Sequence, residues 1–105
     1  MLLTFDIGNS DITIGLWDNT AWRNVWRVPS KPDQPELFYG IRVRDYFTET
    51  GLDIGQVDTV VLSSVVPALT EKIRNVIKSL FNLEPVLLGP AVFNKLPIKV
   101  LNPYE

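Results

Sequence analysis

The sequence has 105 residues, 46% of them hydrophobic and 21% charged, with a formal net charge of -2. That length supports one ordinary core, and the near-average composition argues against disorder, collagen-like repeats and coiled coil. There is no Cys and no His, which excludes disulfide scaffolds, thiol catalysis, Cys-based metal sites and the Ser-His-Asp triad, and leaves carboxylates, hydroxyls, amides, Lys and Arg to carry any chemistry.

Residues 2–7 alternate, with Leu3, Phe5 and Ile7 toward one face and Thr4 and Asp6 toward the other, as in a half-buried strand. The run meets Asp6 too early for a signal-peptide core. After a tight turn at Gly8-Asn9-Ser10-Asp11, residues 11–17 repeat the alternation, with Ile12, Ile14 and Leu16 against Thr13, Gly15 and Trp17. Asp18-Asn19-Thr20 predicts a second turn, and 21–28 a third strand. Its alternation sets Trp22, Trp26 and Val28 on one face and Arg23, Val25 and Arg27 on the other. The chain thus opens as an antiparallel meander.

Two prolines mark 30–35 as a loop, and Pro35-Glu36 suits the first turn of a helix, with Pro where an amide is orphaned and Glu complementing the dipole. Leu37, Phe38, Ile41 and Phe47 are its expected apolar face and Gly51 its cap. Residues 57–66 are β-branched and almost continuously apolar, which predicts a strand buried on both faces inside a parallel sheet. Pro67 opens a second helix, in which Leu69, Ile73, Val76, Ile77 and Leu80 follow helical spacing. Residues 85–88 predict another short buried strand, 91–96 are ambiguous, and 98–101 can form a strand before Asn102-Pro103. No run approaches the roughly 18 consecutive apolar residues of a membrane helix. The order is βββαβαβ: an α/β chain with a mixed sheet covered by helices, the ribonuclease-H-like layout.

The chemistry concentrates in Asp6-Ile7-Gly8-Asn9-Ser10, where the first strand enters its hairpin. Gly8 lets a ligand approach the backbone, Asn9 and Ser10 bring short donors, and consecutive turn amides can form an anion-binding nest. Asp6 stands where a carboxylate can hold Mg²⁺ against a bound phosphate, and Gly15 also permits close approach. On local chemistry alone, the same residues also read as a plain hairpin turn. Asp6 weighs against that, because a carboxylate after an apolar run is costly without a cation or donors.

A strand ending D-I-G-N-S, followed by one carrying I-x-I-G-L, resembles the first phosphate-binding motif of type III pantothenate kinases, members of the acetate and sugar kinase, Hsp70 and actin superfamily. Leu62-Ser63-Ser64-Val65-Val66-Pro67 resembles the family's S-V-V-P element, and the end of the chain, Asn102-Pro103-Tyr104-Glu105, the stretch before its G-x-D-R motif. The resemblance implies an actin-like ATPase domain spanning 1–105 as the N-terminal half of a two-lobed enzyme. The base for the pantothenate hydroxyl is then expected just after Glu105, and this half alone is expected to be inactive. It further implies ATP with Mg²⁺, a monovalent cation (K⁺ or NH₄⁺) held by the other half, pantothenate as the acceptor, and a homodimer. Carried over by position, Asp6 orients Mg²⁺ and polarises the transferring phosphoryl group. Ile7, Gly8, Asn9 and Ser10 line the ATP phosphates, and Asp11, Ile12 and Thr13 complete the loop. The sequence departs from the family at Val100, where a substrate-contacting Tyr is frequent.

The remaining features are weaker. Trp22 and Trp26 with Arg23 and Arg27 resemble a stacking platform for single-stranded nucleic acid, but the alternation separates rings from charges and favours a core face backed by a solvated one. Lys72, Arg74 and Lys78 read as a solvated helix face, and Asp33, Glu36 and Asp45 lack metal-ligand spacing. Neither nucleic acid nor membrane is an expected partner, since the slight acidity gives no pull toward either, and a cytoplasmic location is expected. A non-catalytic regulatory or binding module of the same fold, and another small-molecule kinase or phosphatase of the superfamily, are the alternatives.

Overall fold

The computed structural model describes residues 1–89. Along the chain run β1 (Leu2–Ile7), β2 (Asp11–Trp17), β3 (Trp22–Pro29), α1 (Glu36–Thr50), a 3₁₀ turn (Ile54–Gln56), β4 (Thr59–Ser64), α2 (Pro67–Phe81) and β5 (Val86–Leu87). This is the order read from the sequence, and the strands form one mixed sheet arranged β3-β2-β1-β4-β5. The expectations for 91–96 and 98–101 lie outside the described residues.

β1 takes the centre because both of its edges find partners. It pairs antiparallel with β2, Leu3 opposite Leu16 and Ile7 opposite Ile12, and parallel with β4, Leu3 beside Val60 and Ile7 beside Ser64. Leu3, Phe5 and Ile7 are fully buried under the helices together with Ile12, Ile14, Leu16, Val60 and Leu62. α2 contributes Leu69, Ile73, Val76, Ile77 and Phe81 to the same core. Each such aliphatic or aromatic side chain stabilises the fold by roughly 1.5–3 kcal/mol. Pro67 stands at the start of α2, where its missing amide is harmless, and Asn82 closes the helix in the left-handed region at φ 56°.

Four expectations are corrected by the packing. α1 is capped by Gly51 as predicted and starts at Glu36, with Pro35 the extended residue just before it rather than in the first turn, but it buries Tyr39, Val43 and Phe47, while Leu37 and Ile41 are exposed. Residues two apart lie about 200° round a helix, so the stripe through Tyr39 turns Leu37 and Ile41 outward. Tyr39 can be buried because its hydroxyl is satisfied: it donates to the Lys31 carbonyl and accepts from the Lys31 amide, both at 2.8 Å. Second, Trp22 and Trp26 lie on opposite faces of the sheet. Leu16 pairs with Asn24 and Trp17 with Trp22, so Arg23 is an extra residue that shifts the alternation by one. Trp26 stacks on Tyr46 and meets Phe47 on the helical side, whereas Trp22 meets Trp17 edge-on at 5.3 Å beside Leu2, Val61 and Leu88.

Third, among the described residues β5 is an exposed two-residue strand at the edge of the sheet, not a buried one, with Val86 50% and Leu87 55% accessible. Fourth, Lys72 is more than part of a solvated face, for its ammonium donates to the carbonyls of Pro32 and Gln34 and straps the β3–α1 loop to α2. Arg74 and Lys78 do lie at the surface, both paired with Glu84. Glu36, at the start of α1, accepts through its carboxylate from the Asn75 side-chain Nδ2 at 2.8 Å and ties the two helices together.

Two glycines, Gly40 within α1 and Gly51 capping it, should respond oppositely to alanine. Gly51 adopts φ 71°, so Gly51→Ala should lower stability by about 1 kcal/mol. Gly40 has open space where a Cβ would stand, so Gly40→Ala should raise stability by roughly 0.5–1 kcal/mol. Urea midpoints at unchanged m value measure both.

The β2–β3 turn carries an acid-sensitive contact. The Thr20 hydroxyl, then the Ala21 and Thr20 amides, hold the Asp18 carboxyl down at about 2, with Arg23 adding a smaller attraction. A carboxyl lowered on folding stabilises above its ordinary value near 3.8, and that contribution is lost as pH falls through about 2. Between pH about 4 and about 2, the wild type should therefore lose a stability increment that Asp18→Asn lacks. Denaturation midpoints at pH 6 and at the acid end of that window would show it.

Candidate functional site

β1 and β4 are parallel and end together at Ile7 and Ser64, so the crevice beyond their carboxyl ends is the natural place for a ligand in such a sheet. Asp6 is the penultimate residue of β1. Its cross-strand partners are Thr13 on β2 and Ser63 on β4. Strand alternation puts these three residues, with Thr4, on the sheet face away from α1 and α2. Thr4, Thr13 and Ser63 are buried, and Asp6 is half-buried. A carboxylate is thus set between two hydroxyl-bearing neighbours at the mouth of the sheet. That donor set is all oxygen, the kind a hard cation such as Mg²⁺ accepts.

The β1–β2 turn beside it is fastened from within and from both flanks. Inside the turn, the Gly8 amide donates to the Asp11 carbonyl at 2.9 Å. On the β3 flank, the Ser30 amide donates to the Ser10 carbonyl at 2.9 Å, and the Ser30 hydroxyl to the Gly8 carbonyl at 2.7 Å. On the opposite flank, the Val65 amide donates to the Ile7 carbonyl at 3.0 Å, joining the end of β1 to the β4–α2 junction. The junction is itself closed by Ser64, whose hydroxyl oxygen accepts from the Val66 amide at 3.0 Å and from the Thr70 hydroxyl at 2.9 Å. Asn9, Ser10 and Asp11 are exposed at the tip.

The residues singled out from the sequence therefore divide into three groups. Asp6 and Thr13 sit side by side on the open face of the sheet. Gly8, Asn9, Ser10 and Asp11 form the turn. Ile7 and Ile12 are 0% and 1% exposed and belong to the core under the helices, so their side chains anchor the loop from below. The Gly8 amide is engaged by Asp11, which leaves the tip, rather than Gly8, to offer donors to a ligand. Sequence reasoning did not assign Ser63 or Ser30 to the site. The S-S-V-V-P element marked the neighbourhood of Ser63, but its register against Asp6 needs the parallel pairing, and nothing local links Ser30 to Gly8.

Among the described residues, no group of three or more acidic, His or Cys side chains could hold a metal ion. A cation at Asp6 would thus rely on one carboxylate plus oxygens from a ligand and water. A groove of about 270 Å³ between α1 and α2, lined by Leu37, Ile41, Val76 and Leu80 among others, shares no residue with the turn. Among the described residues, no helix is long and apolar enough to cross a membrane.

Comparison with known proteins agrees with this layout. The solved ROK hexokinase of Thermus thermophilus superposes with a TM-score of 0.61 over 84% of this chain and 34% of its own, at 13% identity, a likeness of fold alone. Type III pantothenate kinases from Geotalea uraniireducens and Myxococcus xanthus are 35% and 36% identical over 105 residues. The chain covers 41% of the length of each of these relatives. The family profile for type III pantothenate kinase matches residues 2–105, nearly every position of the sequence. By that match and those identities, this chain belongs to the type III pantothenate kinase family.

Proposed function

We propose that the chain is the N-terminal, phosphate-binding lobe of an ATP-dependent kinase that converts pantothenate to 4′-phosphopantothenate in coenzyme A synthesis. The observation that carries this reading is the placing of Asp6 and the Gly8–Asp11 turn together at the carboxyl ends of parallel β1 and β4. Phosphoryl transfer asks a protein mainly for position and charge neutralisation, which a carboxylate and a rigid turn supply without His or Cys.

In this reading the exposed turn at Asn9 and Ser10 receives the ATP phosphates, while Asp6, flanked by Thr13 and Ser63, holds the accompanying Mg²⁺ directly or through water. Bound Mg²⁺ supplies neutralisation of charge on the phosphate oxygens. The pantothenate hydroxyl oxygen bonds to the γ-phosphorus, the bond to the β-phosphate oxygen breaks, and ADP leaves. The proton of that hydroxyl passes to a base assigned to no residue of this chain. The monovalent cation and the enclosure of the nucleotide base are likewise assigned to the second lobe. The working enzyme is proposed to be a cytoplasmic homodimer, in line with its soluble substrates.

Calorimetric titration with Mg·ATP tests the site. Asp6→Asn, which keeps the shape and removes the charge, should weaken Mg·ATP binding at least tenfold and abolish its dependence on Mg²⁺. Equal affinities for wild type and variant would refute the assignment of Asp6. A second measurement addresses the division of labour between lobes. This chain alone should release no ADP in response to pantothenate, and measurable pantothenate-dependent release would place the base within it.

A further inference from the structure

We propose that Ser30 is a positioning residue of the phosphate loop, which turns the amides of Asn9 and Asp11 toward the anion by holding the carbonyls of Gly8 and Ser10. The inference rests on the reading of the turn as the ATP phosphate site and adds to it the residue that sets its shape. Ser30 lies just past the end of β3, outside the motif, yet it makes two hydrogen bonds to the turn: hydroxyl to Gly8 carbonyl at 2.7 Å and amide to Ser10 carbonyl at 2.9 Å.

Peptide geometry makes those two bonds directional. In a planar trans peptide the carbonyl of one residue and the amide N–H of the next point in opposite directions. With the Gly8 carbonyl held toward Ser30, the Asn9 N–H must point away from it. With the Ser10 carbonyl held toward Ser30, the Asp11 N–H must do the same. A single residue thus removes two carbonyl oxygens, which would repel phosphate, from the ligand side and presents two donors there instead. Donors fixed before the ligand arrives need no reorganisation on binding.

Ser30 can do this because its own segment is anchored to the helical layer. Its neighbour Lys31 is bonded through both amide and carbonyl to the buried hydroxyl end of Tyr39 on α1. Two and four residues past Ser30, the carbonyls of Pro32 and Gln34 accept from Lys72 on α2. Both helices therefore brace the segment that braces the turn. Ser30→Ala removes the bond to Gly8 and leaves the amide bond to Ser10, so the turn should persist with one of its two peptides released.

The test is calorimetry with Mg·ATP and with AMP on wild type, Ser30→Ala and Ser30→Thr, alongside the Asn9 and Asp11 amide signals of the ¹⁵N-labelled chain. Ser30→Ala should weaken Mg·ATP about tenfold, the scale of one positioning hydrogen bond, with a smaller loss for AMP. Ser30→Thr, which restores the hydroxyl, should recover ATP affinity. In the wild type both amide signals should move on addition of Mg·ATP. Should Ser30→Ala fail to fold, Ser30→Cys, similar in shape and a weaker donor, must show the same unequal loss. Unchanged ATP affinity in Ser30→Ala, an equal loss for ATP and AMP, or no recovery in Ser30→Thr would overturn the role of Ser30 alone. A wild type that shows no Mg·ATP binding would overturn the phosphate site itself, and this inference with it.

Discussion

Everything in this fold depends on β1 being paired along both edges. Its antiparallel partner β2 follows immediately, but its parallel partner β4 arrives only after β3 and α1 have been laid down. A hairpin alone is marginal in water, because one face and one edge remain open. The β1–β4 pairing closes the second edge, and it brings the helical face of β1 under α2, where Leu3, Phe5 and Ile7 lose all contact with solvent. The same pairing sets where the candidate site lies. It aligns the carboxyl ends of two parallel strands and sets the β1–β2 turn beside the start of α2, through the bond from the Val65 amide to the Ile7 carbonyl.

The sheet separates packing from chemistry by parity. Odd-numbered residues of β1 are apolar and buried beneath the helices, while Thr4 and Asp6 face the other way. On that second face the neighbours of Asp6 are hydroxyls rather than hydrocarbons, Thr13 on one side and Ser63 on the other. A carboxylate can sit there without the cost it would meet among Phe5 and Ile7. Farther from the site the same face becomes apolar, with Trp17, Trp22, Leu2 and Val61 packed together. The bulge at Arg23 is what delivers Trp22 to that group and leaves Trp26 to the helices.

Much of this was legible in the sequence because it is written in short-range patterns. Alternation marked β1 and β2, Pro67 and helical spacing marked α2, and the D-I-G-N-S stretch marked the turn of the candidate site. What stayed hidden depends on contacts between distant segments. A single inserted residue in β3 reverses the faces of Trp22 and Trp26, and no periodicity count reveals which strand neighbour absorbs it. The rotation of α1 hung on Tyr39, whose polar end makes it a poor marker of a core stripe until its bonds to Lys31 are seen. Val86 and Leu87 have the composition of an inner strand, yet among the described residues they stand at the edge of the sheet with half their surface exposed. Ser63 and Ser30 are ordinary serines in sequence, and only register and tertiary contact bring them to Asp6 and Gly8.

A phosphate site of the kind proposed, built from main-chain amides, would depend on the rest of the molecule. Side-chain ligands can be aimed by their own rotamers, but a backbone donor is aimed only by the peptides on either side of it, so its precision must come from outside the turn. Here that control comes from Ser30 on one flank and Val65 on the other, and each belongs to a segment tied to the helices. Lys72 and Tyr39 hold the segment that follows Ser30, and Ser64 with Thr70 closes the one that carries Val65. The helical layer, which touches no ligand in this arrangement, is therefore mechanically connected to the turn at two points. Packing of α1 and α2 on the sheet thus braces the turn from outside, and the proposed phosphate site would draw its rigidity from there rather than from its own four short residues.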